Sequence, residues 1–393
     1  MFSNLSAPQQ DPILSLSQAY RLDQRDIKVD LGIGVYKNSD GVTPIMQSVL
    51  KAQDIVLQQQ QTKAYVGMAG DEEFNAAALS LVLPDTAIAQ RATSIQTPGA
   101  SGGLRMLAEL IAFSNPDATV WLSNPSYVNH QPVMEAAGLK VKHYRYFDAA
   151  TKQVDANAML DDLAKVKAKD VVLLHGCCHN PTGADLSPEV WEQVTLLAQR
   201  NGFLPFIDIA YQGFGDGLEQ DSFGVRHMAQ NLPELLVTSS CSKNFGLYRE
   251  RTGSAIIVAD QQTHATNARG KLLQMARTTY TMPPAHGASI VKTVLQDNEL
   301  KAAWIEELEQ MRLRLVSLRH NLCLEISKIT GSNEFDFIKQ HKGMFSVLGY
   351  TSEQMIRLRE EFAVYGVNDG RINIAGLREQ DLTYVASAIA AVR

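Results

Sequence analysis

The stretch Leu235-Leu-Val-Thr-Ser-Ser-Cys-Ser-Lys-Asn-Phe-Gly-Leu-Tyr-Arg-Glu-Arg251 opens as a buried strand and closes on a cluster of reactive and basic side chains. Its first residues, Leu235–Ser239, do not alternate between apolar and polar. Four other runs share this character: Thr119–Ser123, Asp170–Leu174, Phe203–Ile207 and Ser254–Val258. Strands that are apolar on both faces belong in a parallel sheet covered by helices. Helix-like stretches at Asp71–Leu83, Gly103–Phe113 and Pro188–Gln199 fall between them, and Ser187 before Pro188 reads as an N-cap followed by proline at the first helical position. Alternation of this kind over such a length predicts an α/β fold with a large, doubly wound, mostly parallel sheet.

Outside this core the pattern changes. Trp304, Ile305, Leu308, Met311, Leu313, Leu315 and Leu318 recur at helical spacing among charges, which predicts one long helix over about 299–329. Beyond it, a strand at Gly343–Leu348 and helices at Ser352–Tyr365 and Glu379–Val392 suggest a smaller, discontinuous α+β unit. The expected division is an N-terminal arm over residues 1–11, a small domain combining 12–44 with 311–393, and a large domain over 45–310.

Composition narrows the function. The 393 residues are 45% apolar and 20% charged, and 36 basic residues against 42 acidic ones leave a net charge of −6. A mildly acidic chain lacks the basic field of a general nucleic-acid binder, and no run reaches the roughly 18 apolar residues of a membrane span. The start, Met1-Phe2-Ser3-Asn4-Leu5, lacks the basic and apolar regions of a secretory signal. Four cysteines, Cys177, Cys178, Cys241 and Cys323, are too few for a disulfide framework. A reducing cytoplasm is the expected location.

Lys243 follows a buried strand among small hydroxyl residues, eight positions before Arg251. Read alone, it could be a surface lysine. In a crowded, partly desolvated site it would be a Schiff-base lysine, with the hydroxyls and the arginine placed to hold a phosphate. Ser240-x-x-Lys243 also matches the S-x-x-K of serine acyl-enzymes, but the S-D-N and K-T-G partners of that class do not occur here. Phe206-Ile-Asp-Ile-Ala-Tyr-Gln-Gly-Phe214 places Asp208 at the end of another strand, where open α/β sheets bind ligands. A carboxylate there needs a cation or a donor; a protonated pyridine nitrogen would serve, and a simple turn cap is the alternative. His175-Gly-Cys-Cys-His-Asn-Pro-Thr-Gly183 mixes His and Cys, yet it contains no C-x-x-C. Adjacent cysteines on a strand would point apart, so no metal site is expected. Thr97-Pro-Gly-Ala-Ser-Gly-Gly-Leu104 leads into a helix whose N-terminal N–H groups suit a phosphate.

Together these strings resemble the class I, pyridoxal-phosphate-dependent aminotransferases of the aspartate and aromatic amino acid subgroup, a fold-type I family. The resemblance runs from Leu31-Gly-Ile-Gly-Val-Tyr-Lys37 to Arg371-Ile-Asn-Ile-Ala-Gly-Leu377. It implies pyridoxal 5'-phosphate as cofactor, a homodimer with shared active sites, and small amino acids and 2-oxo acids as substrates. By this resemblance Lys243 is the Schiff-base and proton-shuttling lysine, and Asp208 partners the ring nitrogen. Tyr211 and Asn180 hydrogen-bond the ring hydroxyl oxygen. Ser240 and Arg251 hold the phosphate, with Ala100 and Ser101 at the glycine turn. Tyr65 crosses to the neighbouring subunit's phosphate. Arg371 binds the substrate α-carboxylate beside Gly34, and Arg277 is lent to the other subunit for a side-chain carboxylate.

A planar guanidinium forks onto a carboxylate, so two arginines suit a dicarboxylate. The family's usual stacking tryptophan is replaced by Tyr127 in Asn124-Pro-Ser-Tyr-Val-Asn-His130, and Met282 stands where aspartate-preferring members often carry Asn. Met is apolar and adaptable, which would admit an aromatic side chain. Val35, Lys37 and Thr43 fit the aspartate-preferring pattern instead. Transamination of both aromatic and dicarboxylic amino acids is therefore expected. The alternatives are a strict aspartate aminotransferase, a lyase or decarboxylase on the same scaffold, and a regulator that kept the fold without catalysis.

Overall fold

The computed structural model describes residues 2–4, 6 and 12–393. Apart from residues 2–4, a single 3₁₀ turn, and residue 6, the expected arm over 1–11 lies outside the described residues. Seven strands form the main sheet: β1 (Ala92–Pro98), β2 (Thr119–Asn124), β3 (Lys140–Arg145), β4 (Val171–His175), β5 (Leu204–Ile209), β6 (Leu235–Ser240) and β7 (Thr252–Val258). Their order is β1-β7-β6-β5-β4-β2-β3. Pairs from β3 through β6 are parallel, whereas β7 runs antiparallel to both β6 and β1. The Ser254–Val258 run is thus the one reversed strand of an otherwise parallel sheet.

Alternation along the central strands shows why they read as unbroken apolar runs. Val172, Leu174, Ile207 and Val237 face one core, while Val171, Leu173, Phe206 and Leu236 face the other. One face is covered by helices α1 (Gly99–Ser114) and α4 (Gln262–Thr279), through Leu104, Leu107, Leu272 and Met275. The opposite face meets α2 (Pro188–Asn201) and α3 (Phe223–Asn231), through Trp191, Val194, Val225 and Met228. Ser187 caps α2 by accepting from the Val190 N–H, with Pro188 behind it, as expected. Two strands of the main sheet are not evident in the sequence. β1 and β3 are sheet edges; β3 is mostly exposed, and its Lys140-Val-Lys-His-Tyr-Arg145 has too little apolar content to resemble a buried strand.

Helix α5 (Asn298–Thr330) is the expected long helix, capped by the Asp297 carboxylate and ended by Gly331 in the left-handed conformation. Three boundaries differ from expectation. α1 begins at Gly99 rather than Gly103. The helix from Ser352 stops at Phe362, where Ala363 turns left-handed, and Val364–Tyr365 form a short strand. The last helix starts at Leu382 after a 3₁₀ turn at Glu379–Asp381. Val29–Asp30 pairs in parallel with Val364–Tyr365, and Phe345–Val347 pairs antiparallel with Arg371–Asn373. Among the described residues no helix is long and apolar enough to cross a membrane.

Candidate active site

Strands β4, β5 and β6 end at one edge of the sheet, and a cavity of about 260 Å³ opens there. The chain between β6 and β7 brings Lys243 to it. That loop turns on a Gly246 N–H to Lys243 carbonyl bond of 3.0 Å. It is pinned from behind by α5: Trp304 donates its indole N–H to the Asn244 carbonyl at 2.7 Å and stacks on Phe245 at 4.4 Å. Lys243 Nζ lies 4.5 Å from the Tyr211 ring centroid. Burial pushes the amine down to about 8; the Asp208 charge opposes this shift and the Arg251 charge adds to it. A larger neutral fraction at physiological pH is what a nucleophilic lysine needs.

Asp208, near the end of β5, is buried. Burial alone would raise its carboxyl, but the hydrogen bond from His130, joined by smaller effects that include the Lys243 charge, outweighs this and holds it below the usual range. Thr238 Oγ1 donates to Oδ1 at 3.0 Å, and His130 Nε2 bonds Oδ2 at 2.9 Å. Ser126 Oγ then joins His130 Nδ1 at 3.0 Å to His175 Nε2 at 3.2 Å, and the Asn180 N–H reaches His175 Nδ1 at 3.4 Å. One assignment of protons satisfies every link. Asn180 donates to His175, His175 to Ser126, Ser126 to His130, and His130 to the carboxylate. It requires a neutral His175, whose pKa burial pushes down to about 3. His130 is a site residue that the sequence reading missed. Its signal was the Asn124–His130 string, but nothing in that string reveals a contact with a residue 78 positions away.

The opposite wall is the start of α1. Gly99 has φ +66°, and a Cβ there would lie 2.5 Å from Arg251 Nη2, so only glycine lets helix and guanidinium approach this closely. Ala100 and Ser101 follow in the first turn and line the cavity, where helix N–H groups have no intrahelical acceptor. Arg251 donates to the Tyr248 carbonyl at 3.1 Å and to Ser242 Oγ at 3.5 Å. Arg371 is buried; it donates to the Gly32 carbonyl at 2.8 Å and to Asn180 Oδ1 at 3.4 Å, and its Nε has no hydrogen-bond partner among the described residues. Its guanidinium lies 4.5 Å from the Phe345 ring centroid. Gly34 makes room for that ring, since a Cβ would come within 2.9 Å of Phe345 Cζ. Among the described residues no carboxylate forms an ion pair with Arg251 or Arg371. Burying the Arg371 cation without a counter-charge is costly, so this cavity is built for anions.

Lys243, Asp208, Tyr211, Asn180, Ser240, Arg251, Ala100, Ser101, Tyr127, Gly34 and Arg371 all line this cavity. Tyr65 and Arg277 do not: Tyr65 is 89% exposed, and Arg277 is exposed in the last turn of α4. Met282 lies beside the Tyr65 loop, where its sulfur accepts from the Val66 N–H at 3.2 Å. The expectation for the adjacent cysteines fails in its geometry. β4 ends at His175, Cys178 takes φ +51°, and both thiols converge with the Asp221 carboxylate within 4.8 Å. Burial raises both thiols, that of Cys178 to about 12. Asp221 accepts backbone N–H bonds from Gly213, Gly215 and Asp216.

A sheet edge that gathers a lysine of lowered basicity, a buried carboxylate and two unpaired arginines defines a group-transfer enzyme that handles anions. The family model for class I and II aminotransferases matches residues 26–389. The chain is 46% identical over 389 residues to an aromatic-amino-acid aminotransferase of Paracoccus denitrificans, covering 99% of each chain. It is 43% identical over 395 residues to an aspartate aminotransferase of Escherichia coli, covering 100% of each. Its fold superposes with a TM-score of 0.97 on an aromatic-amino-acid aminotransferase of Burkholderia pseudomallei, described as covalently bound to pyridoxal phosphate. That structure is 39% identical, with 100% of this chain and 99% of that chain covered. The protein belongs to the class I and II aminotransferase family.

Proposed function

We propose that the protein transfers amino groups between aromatic or dicarboxylic amino acids and 2-oxo acids such as 2-oxoglutarate, with pyridoxal 5'-phosphate held in the cavity at Lys243. The observation that carries this reading is the pairing of one poised amine with one buried carboxylate between two arginines that lack counter-charges. The residues fit such a cofactor. The first turn of α1, Ser240 and Arg251 offer a cradle for a dianionic phosphate, tight enough that a Cβ at Gly99 would fill it. Asp208, held ionised, offers a partner for a ring N–H. Tyr211 and Asn180 flank the space between, and Tyr127 offers a face for stacking.

When bound, pyridoxal phosphate supplies an electron sink that lets a Cα–H bond break. The chain supplies the rest. Arg371 binds the α-carboxylate, with its fork preset by Gly32 and Asn180. Asp208, fixed by Thr238 and His130, keeps a ring nitrogen protonated. Lys243 Nζ removes the proton at Cα and returns one to the other side of the transfer.

Tyr65 and Arg277, absent from their own chain's cavity, are assigned to the site of a second copy, which makes the enzyme a homodimer with shared sites. The grouping of 12–44 with 311–393 as a small domain beside a large domain of 45–310 is supported by the pairing of Val29–Asp30 with Val364–Tyr365; the arm over 1–11 lies mostly outside the described residues. Tyr127 and Met282 favour aromatic substrates, whereas Arg277 favours aspartate. Dual specificity is tested by kcat/KM for aspartate, glutamate, tyrosine and phenylalanine with 2-oxoglutarate as acceptor. The reading expects turnover of both an aromatic and a dicarboxylic donor; turnover of dicarboxylic donors alone would make this a strict aspartate aminotransferase.

A further inference from the structure

A second cavity, of about 660 Å³, opens at the other end of the strands that carry the first. Its floor includes Val171, Leu204 and Leu236, at the starts of β4, β5 and β6. Across the floor the lining is apolar and its size is that of a small-molecule pocket. The mouth is different. Phe113, in the last turn of α1, is 64% exposed. Lys271 of α4 sits with its ammonium 3.4 Å from the Phe113 ring centroid. Lys169 stands beside the opening with φ +67°, a backbone conformation that glycine would adopt at less cost.

Neither lysine forms an ion pair among the described residues, and Glu234 is the single carboxylate of the lining. Helices α1, α2 and α3 all end here, and open carbonyl ends would favour a cation. The α3 end is answered within the chain, however: Gln199 Nε2 donates to the Asn231 carbonyl, and Arg91 to the carbonyls of Ala229, Leu232 and Pro233. At the α1 and α2 ends the N–H groups of Asn115 and Gly202 reach the Ile111 and Ala198 carbonyls, and on the rim Asn115 Nδ2 donates to the Lys169 carbonyl. Two ammonium groups therefore remain at the rim of an apolar cavity without counter-charges.

We propose that this cavity is a second binding site, for a small ring-bearing monocarboxylate. The ring enters the apolar floor beside Phe113, and the carboxylate stays at the rim between Lys169 and Lys271. A free amino acid is disfavoured, because its α-ammonium would meet two ammonium groups. A dicarboxylate is disfavoured because its second acid would meet the apolar floor or Glu234. The site would thus take aryl-substituted acids without an amino group, from the same chemical class as deaminated aromatic amino acids.

The test is a fluorescence titration of the cofactor-loaded enzyme with 8-anilinonaphthalene-1-sulfonate, an aromatic anion, followed by displacement with 3-phenylpropionate. Saturable binding of about one probe per chain is expected. Phenylpropionate should displace it, and phenylalanine should not at equal concentration. Lys169→Gly, which suits the left-handed backbone, combined with Lys271→Glu should weaken binding at least about tenfold, and Phe113→Ser should weaken it severalfold. Aspartate transamination should be unchanged in these variants. Unchanged probe affinity in the rim variants, loss of binding in Arg371→Leu, equal displacement by phenylalanine, or no saturable binding would each overturn the assignment.

Discussion

Lys243 was visible in the sequence because its neighbours are short-range: a strand end, two serines and an arginine within a dozen residues. What sets its basicity was not visible. Burial draws the amine down, and the two charges that modulate it, Asp208 and Arg251, come from another strand and from the return of its own loop. Asp208 repeats the lesson. Its position at a strand end was legible, but the partners that hold it ionised, His130 and Thr238, lie on other elements. Replacing His130 by Asn, whose shorter side chain cannot span the distance to Asp208, removes the hydrogen bond from Nε2, so the Asp208 carboxyl should rise. A group that must be ionised then ionises later, and the acid limb of the kcat profile should move to higher pH. The drop in kcat should be about tenfold, the usual cost of losing a group that orients a reacting one. A profile that keeps its acid limb would show that His130 only packs.

At the scale of elements, strands buried on both faces announced themselves, and edge strands did not. β3 carries polar residues on an exposed face, β1 buries polar ones at Ser94, Gln96 and Thr97, and both look like loops until pairing is known. A local signal placed the cap at Ser187, because a cap needs only its next three residues. The long helix α5 was legible from its spacing, but its service to the site was not. Trp304 reaches 60 residues back to hold the lysine loop through the Asn244 carbonyl. Trp304→Phe keeps the stack on Phe245 and abandons a buried carbonyl. It should cost about 1–3 kcal/mol, the price of an unsatisfied buried acceptor, measured by urea unfolding. No change in stability would mean that the bond is not holding the loop.

For the molecule as a whole, a net charge of −6 hides a cationic pocket, because Lys243 and Arg251 of one loop meet Arg371 from a distant segment around one carboxylate. Nothing in the composition foretells that. Tyr65 and Arg277 were picked out by resemblance, and each faces outward from the chain that carries it. If Arg277 serves the neighbouring site, two crippled variants can repair one another. Lys243→Ala lacks the amine and Arg277→Ala should lose most aspartate turnover while keeping more of its aromatic turnover. After mixing under conditions that let subunits reassort, half the dimers are mixed and each holds one complete site. Up to about a quarter of the wild-type aspartate activity should then return. Recovery no greater than the Arg277→Ala enzyme alone would place Arg277 in its own chain's site or outside any site.

Every role proposed for the site depends on Lys243 being the residue to which the cofactor is joined. Borohydride reduction of the cofactor-loaded protein, followed by peptide mass mapping, locates that bond. One phosphopyridoxyl group per chain is expected, on Lys243; its presence on another lysine, or its absence from the reduced protein, would overturn the assignment.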